Sequence, residues 1–275
     1  MTRASHPDHG KGERPRRLDG LTVVITRPAG TGTSLAKKVR ALGGTPLLLP
    51  GLSLRGAADP HHAGMQWLAS QRDDVLIFTS PAAVRYALAL APLAKTHGSV
   101  IAVGQGTARA LQRHGIAALV PASRQDSEGV LGLAPLQRPE GKRIALVGAP
   151  GGRGLMHQQL AERSAVLREV PVYRRAASRL TSRHQEAVRQ LPTAACVLLS
   201  SAEALQNLKG QLSPAAWTRL CRATAVVSSD RIGYAARAAG FVRIHRAASA
   251  NQADLLAAAC DIHSRVSYEA GVPDC

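Results

Sequence analysis

The chain has 275 residues, 45% hydrophobic and only 3% aromatic, with 35 lysines and arginines against 18 acids for a net charge of +17. That length exceeds one ordinary domain and fits two of roughly 120 residues, each with a core of Leu, Val, Ile and Ala. Scarce aromatics argue against stacking on bases, and the positive surplus is spread along the chain rather than blocked, so an acidic small molecule is favoured over nucleic acid as partner.

Residues 1–19 are polar and charged without apolar periodicity, and read as a disordered tail. Order begins with a strand, Leu21 to Thr26, then a helix with Leu35, Val39 and Leu42 on one face, stopped by Gly43 and Gly44. A strand from Pro46 to Leu49 runs through Pro50 into Leu52 to Leu54, and a helix covers Gly64 to Gln71. Asp74 to Thr79 is an apolar run between polar residues, as suits a strand buried on both faces. Ser80 and Pro81 stand where an N-cap and a first helical turn belong, and the helix runs from Ala82 to Ala91. Strand Val100 to Val103, helix Thr107 to His114, strand Ala117 to Val120 and helix Glu128 to Leu136 follow.

The second half repeats this order: strand Arg143 to Val147, helix Leu155 to Arg163, strand Leu167 to Tyr173, helix Arg183 to Leu191, strand Cys196 to Leu199 and helix Ala202 to Leu208. Strand Ala223 to Val227, a helix carrying Ile232, Ala235, Ala236 and Ala239, strand Val242 to His245 and helix Gln252 to Cys260 complete it. Thr79 and Ser80 match Ser200 and Ser201, Leu21 to Pro28 matches Arg143 to Pro150, and Leu49-Pro50 matches Val170-Pro171, all at an offset of about 120 residues, an internal duplication. Strands alternating with helices specify parallel sheets with right-handed crossovers. Five strands per repeat give a flavodoxin-like layout with its ligand crevice beyond the strands' C-terminal ends.

Gly104-Gln-Gly106-Thr-Ala-Arg109 follows a strand and opens a helix, but Arg109 replaces the third glycine of a dinucleotide fingerprint. Gly148 to Gly154 reads as an anion-receiving turn, with Arg153 as a carboxylate partner. Cys196, Cys221, Cys260 and Cys275 stand too far apart for paired metal ligands, and reduced, mostly buried thiols are expected. With neither a signal-type apolar run nor a membrane-spanning stretch, the sequence reads as a cytoplasmic protein without a membrane partner. What accumulates is polar residues at strand ends: Thr26 and Arg27, Thr79 and Ser80, Thr107, Ser200 and Ser201, Ser228 and Ser229, then Arg231. Either each hydroxyl merely caps its helix, or together they line a cleft shared by two lobes and suited to a polyanion.

Val24-Ile-Thr-Arg-Pro28, Ile77-Phe-Thr-Ser-Pro-Ala-Ala-Val84, Ala102-Val-Gly-Gln-Gly-Thr-Ala108, Gly141-Lys-Arg-Ile144, Val170-Pro-Val-Tyr-Arg174 and Val227-Ser-Ser-Asp-Arg-Ile232, in this order, resemble the uroporphyrinogen-III synthase family. The resemblance implies an α/β protein of two flavodoxin-like parallel-sheet domains joined by a two-stranded β-ladder linker. One domain takes residues 20–48 plus 175–264; the other is 49–174, with linker strands Leu47 to Leu54 and Glu169 to Arg174, and 265–275 is a C-terminal tail. The implied activity is closure of the linear polycarboxylate hydroxymethylbilane to uroporphyrinogen III, with loss of water and inversion of the last ring through a spiro intermediate. Neither metal nor organic cofactor is implied, nor any nucleic acid, and the protein is expected to be a monomer. Tyr173 takes the role of proton donor, a phenol being a weak acid at neutral pH. Ser80, Thr107 and Ser201 map onto cleft hydroxyls; Arg27, at a strand end, and Arg153, in the turn after one, are expected to make carboxylate contacts. Ser229-Asp230-Arg231 departs from the Thr-rich turn of some members, which puts the role of Ser229 in question. The rival reading is a two-lobed cytoplasmic protein that binds an anionic metabolite without turnover.

Overall fold

The computed structural model describes residues 17–94, 97–122, 127–151, 154–163 and 165–270. Leu18, assigned to the tail, is fully buried: its N–H donates to Leu42 O at 2.9 Å, and its Cβ lies 3.0 Å from where a Cβ on Gly44 would stand. One leucine among polar residues has no periodicity to betray it. β1 (Thr22–Ile25) is buried throughout, and α1 (Thr33–Ala41) turns Leu35, Ala36 and Val39 inward. Gly43, at φ +88°, supplies the left-handed turn into β2 (Thr45–Leu48). β3 (Leu52–Gly56) follows, and α2 (Pro60–Ser70) starts a turn earlier than expected, since Asp59 caps it by accepting the His62 N–H at 2.9 Å.

β4 (Val75–Phe78), α3 (Pro81–Leu90), β5 (Ser99–Ala102) and α4 (Gln105–Gln112) then run as expected. The strand predicted over Ala117 to Val120 is reduced to one parallel bridge, Leu119 to Ile101. The helix predicted over Glu128 to Leu136 is split into α5 (Ser127–Leu131) and α6 (Ala134–Gln137) around Gly132, with Pro135 in the first turn of the second. β6 (Arg143–Gly148), α7 (Gly154–Glu162), β7 (Val166–Pro171) and β8 (Tyr173–Ala177) come next. After them stand α8 (Ser182–Arg189), β9 (Ala195–Leu199), α9 (Ala202–Gln211), α10 (Pro214–Cys221), β10 (Thr224–Val227), α11 (Asp230–Ala239), β11 (Ile244–Arg246) and α12 (Gln252–Ala270). Helix α12 runs on through 265–270, where a tail was expected, because neither Gly nor Pro interrupts it before Gly271.

The chain divides into two compact units, Leu54–Ala176 and the residues to Ser53 together with those from Ala177. The first unit in chain order, unit 1, holds a parallel sheet ordered β11-β10-β9-β1-β2. Unit 2 holds β5-β4-β6-β7, also parallel, with the Leu119 bridge beyond β5. Each sheet therefore combines strands of both repeats: β1-α1-β2 joins β9 to β11, and β6-α7-β7 joins β4 and β5. The chain crosses between units within β3 and β8, which pair as a two-stranded sheet. These linker strands lie later than predicted, because Leu47 and Leu48 still pair with β1, and Glu169 and Val170 with β6.

Side chains alternate across each sheet and fill a core on both faces. In unit 1, Val24, Val197, Leu199 and Val227 pack under α9, α10 and α11, while Val23, Ile25, Leu198 and Val226 face α1 and α12. In unit 2, Leu76, Phe78 and Val147 face α2, α3 and α4, and Ile77, Ile101 and Ile144 face α5, α6 and α7. Each fully buried Val, Leu or Ile contributes about 1.5–3 kcal/mol. Both sheets are thus held as rigid platforms for the loops at their strand ends.

Candidate active site

Chain order reverses between two central strands of each sheet, β1 and β9 in unit 1, and β6 and β4 in unit 2, which opens a crevice at the strands' carboxyl ends. In unit 2 that edge is formed by Thr79 and Ser80 after β4 and by Gly148 at the end of β6. Ser80 is the N-cap of α3, accepting the Ala83 N–H at 3.1 Å. Its Oγ also lies 3.1 Å from Oη of Tyr173, the first residue of β8, which is only 7% exposed. A serine that caps by accepting keeps its own proton to give. Ser80 and Tyr173, the predicted hydroxyl and the predicted proton donor, thus meet directly.

Tyr173 is stacked on Tyr86 of α3, with ring centroids 5.5 Å apart and planes 14° from parallel. The Tyr86 hydroxyl donates to Leu54 O in β3 at 2.9 Å, and the Arg85 guanidinium carbon lies 4.7 Å from the Tyr86 ring centroid. Sequence reasoning missed Tyr86, since an aromatic on a helix reads as core; the one signal was that tyrosine occurs only four times in the chain. Beside α3, Gly104 is the N-cap of α4, and Thr107 is buried in its first turn. A Cβ on Gly106 would stand 3.6 Å from Pro81 Cγ, so the first turns of α3 and α4 lie side by side, with no acid in either. The positive ends of their dipoles make this rim attractive to anions. The Thr79 hydroxyl is committed to Val147 O at 3.1 Å. Arg153 lies outside the described residues, while Arg175 donates to Pro150 O at 3.3 Å in the same turn.

In unit 1 the Thr26 hydroxyl is 2% exposed as a residue and donates to Leu198 O at 2.7 Å, so its proton ties β1 to β9. Arg27 is half-buried without an ion-pair partner among the described residues, and burial lowers its guanidinium from the ordinary value. Ser201 caps α9 through the Ala204 N–H at 3.2 Å, and Ser229 caps α11 through the Ile232 N–H at 3.4 Å. Ser200 is half-buried beside that cap, and Arg231 is exposed in the first turn of α11. Acids also stand in these first turns, Glu203 in α9 and Asp230 in α11, the latter paired with Arg246 at 3.0 Å. The structure therefore gathers Arg27, Ser200, Ser201, Ser229 and Arg231 at strand ends of unit 1, and Ser80, Thr107 and Tyr173 at those of unit 2.

A cavity of about 550 Å³ in unit 1 lies away from this edge, lined by Arg219, Cys221, Arg222 and Arg243 among others. Two of its arginines are engaged with carbonyls at the negative ends of helices, Arg219 with Leu191 O just past α8 and Arg243 with Arg222 O at the C-cap of α10. Those helix ends oppose an anionic ligand there. Among the described residues no group of three His, Cys, Asp or Glu side chains could hold a metal ion, and no helix is long and apolar enough to cross a membrane.

A family model described as uroporphyrinogen-III synthase HemD matches residues 33–257, most of the chain and both units. The chain belongs to the uroporphyrinogen-III synthase family. The uroporphyrinogen-III synthase of Escherichia coli is 30% identical over 257 residues, covering 86% of this chain and 99% of its own. That of Salmonella typhimurium is 28% identical over 249 residues with the same coverage, 86% and 99%. Two solved structures share the fold. A mutant uroporphyrinogen III synthase from Thermus thermophilus gives a TM-score of 0.56 at 21% identity over 90% of this chain and 99% of its own. The Helicobacter pylori uroporphyrinogen-III synthetase gives 0.56 at 17% identity over 88% and 99%. Relatives matched over nearly their whole length are uroporphyrinogen-III synthases, so a binding protein without turnover is not favoured.

Proposed function

We propose that the chain closes hydroxymethylbilane to uroporphyrinogen III, with loss of water and inversion of the last ring through a spiro intermediate, and that Tyr173 gives the proton which lets the terminal hydroxyl leave. Family membership supports the reaction. The observation that carries the assignment within it is the 3.1 Å contact of Tyr173 Oη with Ser80 Oγ at the N-cap of α3.

The chemistry follows from that contact. Ser80 accepts from Ala83 N–H and keeps its own proton; when it turns that proton to the phenol oxygen, the Tyr173 proton is free for the substrate. As that proton moves to the leaving hydroxyl, the pyrrole nitrogen supplies the electrons that expel water. Negative charge then grows on the phenol oxygen, where the Ser80 hydroxyl and the positive end of α3 oppose its cost. Positioned acid catalysis of this kind contributes about 10² to 10⁴ in rate. Attack by the substituted carbon of the last ring is a matter of conformation, so holding the carboxylates governs which isomer forms.

Carboxylate contacts are assigned to Arg27, Arg153 and Arg231, to Ser200, Ser201 and Ser229, and to Thr107. The support in this structure is strongest for Arg27, a half-buried cation without a partner among the described residues, and for Ser201 and Ser229, which cap and retain a proton to donate. Thr26 and Thr79 serve by closing the strand ends, their hydroxyl protons being engaged by Leu198 O and Val147 O. The protein acts as a cytoplasmic monomer; among the described residues Cys196, Cys221 and Cys260 are free thiols. Purified protein given hydroxymethylbilane is expected to divert it from the spontaneous type I product to type III. Folded protein that yields only type I overturns the proposal.

A further inference from the structure

We infer that Tyr86 is a positioning residue that clamps the ring of Tyr173 on Ser80, an inference that rests on Tyr173 being the proton donor. A single hydrogen bond at 3.1 Å tethers the phenol oxygen but does not by itself hold the ring against flipping about χ2 or swinging off Ser80 about χ1. The Tyr86 ring, nearly parallel at 5.5 Å between centroids, closes one face of Tyr173 and limits that turning. General-acid catalysis needs the donor within hydrogen-bond reach of the leaving oxygen at the moment of transfer, so lost orientation is lost rate.

Tyr86 is itself held at both ends. Its backbone belongs to α3, the helix that Ser80 caps, and its hydroxyl donates to Leu54 O of β3 at 2.9 Å. β3 pairs with β8, the strand that Tyr173 opens. Cap, helix, clamp and the two paired strands thus close a ring of contacts on the proton donor from two sides. The Tyr86 hydroxyl is what separates this arrangement from ordinary aromatic packing, for a phenylalanine would stack as well but would lose its tie to β3. Arg85, with its guanidinium over the Tyr86 ring, adds a cation–π contact at the exposed side of the stack.

The test is steady-state kinetics on Tyr86→Phe, Tyr86→Leu, Tyr173→Phe and the Tyr86→Leu, Tyr173→Phe double variant, with folding checked by circular dichroism and thermal melting. Tyr86→Phe is expected to lower kcat by about 3- to 10-fold at unchanged KM, the worth of one hydrogen bond. Tyr86→Leu should lower kcat by about 10²-fold, and the double variant should fall no further than Tyr173→Phe. Equal proportional losses from Tyr86→Leu with and without the Tyr173 hydroxyl overturn the clamp. A second readout is independent of turnover: in protein with isotope-labelled tyrosine rings, the Tyr173 signal, identified by its loss in Tyr173→Phe, should show faster ring flipping in Tyr86→Leu. Unchanged flipping overturns the clamp whatever the kinetics. Should Tyr173→Phe instead match the parent in kcat, the proton-donor reading falls and ring flipping decides the clamp by itself.

Discussion

At its switch point, unit 2 ties β4 to β6 through Thr79, which donates from the end of β4 to Val147 O. Unit 1 ties the equivalent strands from the other side, Thr26 donating from the end of β1 to Leu198 O of β9. The duplication pairs Thr79 with Ser200 and Thr26 with Gly148. Gly148 is glycine for a local reason, since a Cβ there would stand 2.3 Å from Thr79 Oγ1. The difference teaches that the junction has room for one inward threonine, and whichever strand carries it decides what the other may be. Around this shared device the units diverge. Unit 2 turns its α3 cap, Ser80, onto a tyrosine, whereas unit 1 carries a partly desolvated arginine, Arg27, just past the end of β1.

Under the proposed mechanism that contrast places the proton in unit 2, and the sharpest way to break it is to remove tyrosines one unit at a time. Tyr173→Phe should lower kcat by about 10²- to 10⁴-fold. Tyr234→Phe, at a residue 75% exposed on α11, should leave kcat unchanged; equal kinetics for both would remove the asymmetry. Next in size is Gly148→Ala, which must displace Thr79 from Val147 O and is expected to cost about 2–4 kcal/mol in urea unfolding of unit 2. Adding Thr79→Ala should recover part of that loss, because the clashing oxygen is gone; no recovery would mean the junction is not limited by room. Arg27→Ala is expected to raise KM about tenfold, the lower end of a charged hydrogen bond, with kcat held within about twofold. The same variant should not lose stability, since it removes a half-buried cation without a partner among the described residues, and a clear drop on melting would assign Arg27 a structural role instead.

The smallest effect concerns alkaline pH. Burial pushes the Cys196 thiol up to about 12 and, with a proximity contribution from Lys209 acting the other way, Cys221 up to about 11. For Cys196 the nearby Cys260 thiol adds to the rise. A group raised in the folded state stabilises fully below its unfolded value, the ordinary thiol range, and that contribution is lost as pH climbs through the folded value. Unit 1 should therefore weaken between about pH 9 and pH 12, and Cys196→Ala should flatten part of that fall in denaturation curves.

How far the sequence reveals this molecule depends on how local each cause is. The β4-α3 junction was legible because a buried strand, a capping serine and a proline at the first turn are adjacent in the chain. Ser213-Pro214 carries the same start signal, yet α10 was overlooked between stronger apolar runs; Ser213 caps it through the Ala216 N–H at 3.4 Å. Linker strands were misplaced because an extended apolar run does not say where pairing with one neighbour stops and pairing with another starts. Strand apolarity could not assign β1 and β6 to their sheets either, since both are buried on two faces and would suit either one. At the site, Ser80 and Tyr173 were each accessible through family resemblance, but their contact and the role of Tyr86 depend on helix-to-strand contacts distant in sequence. Leu18 fails for the opposite reason: its pocket exists because a distant glycine has no side chain.

The exchange of strands between repeats also bears on how the protein is made. Unit 2 is an uninterrupted stretch, Leu54–Ala176, complete once its last strand has left the ribosome, whereas β1 must wait for β9 to emerge before its central pairing can form. The β1-α1-β2 element is therefore an orphan until β9 emerges, with apolar strand surface left uncovered in the meantime.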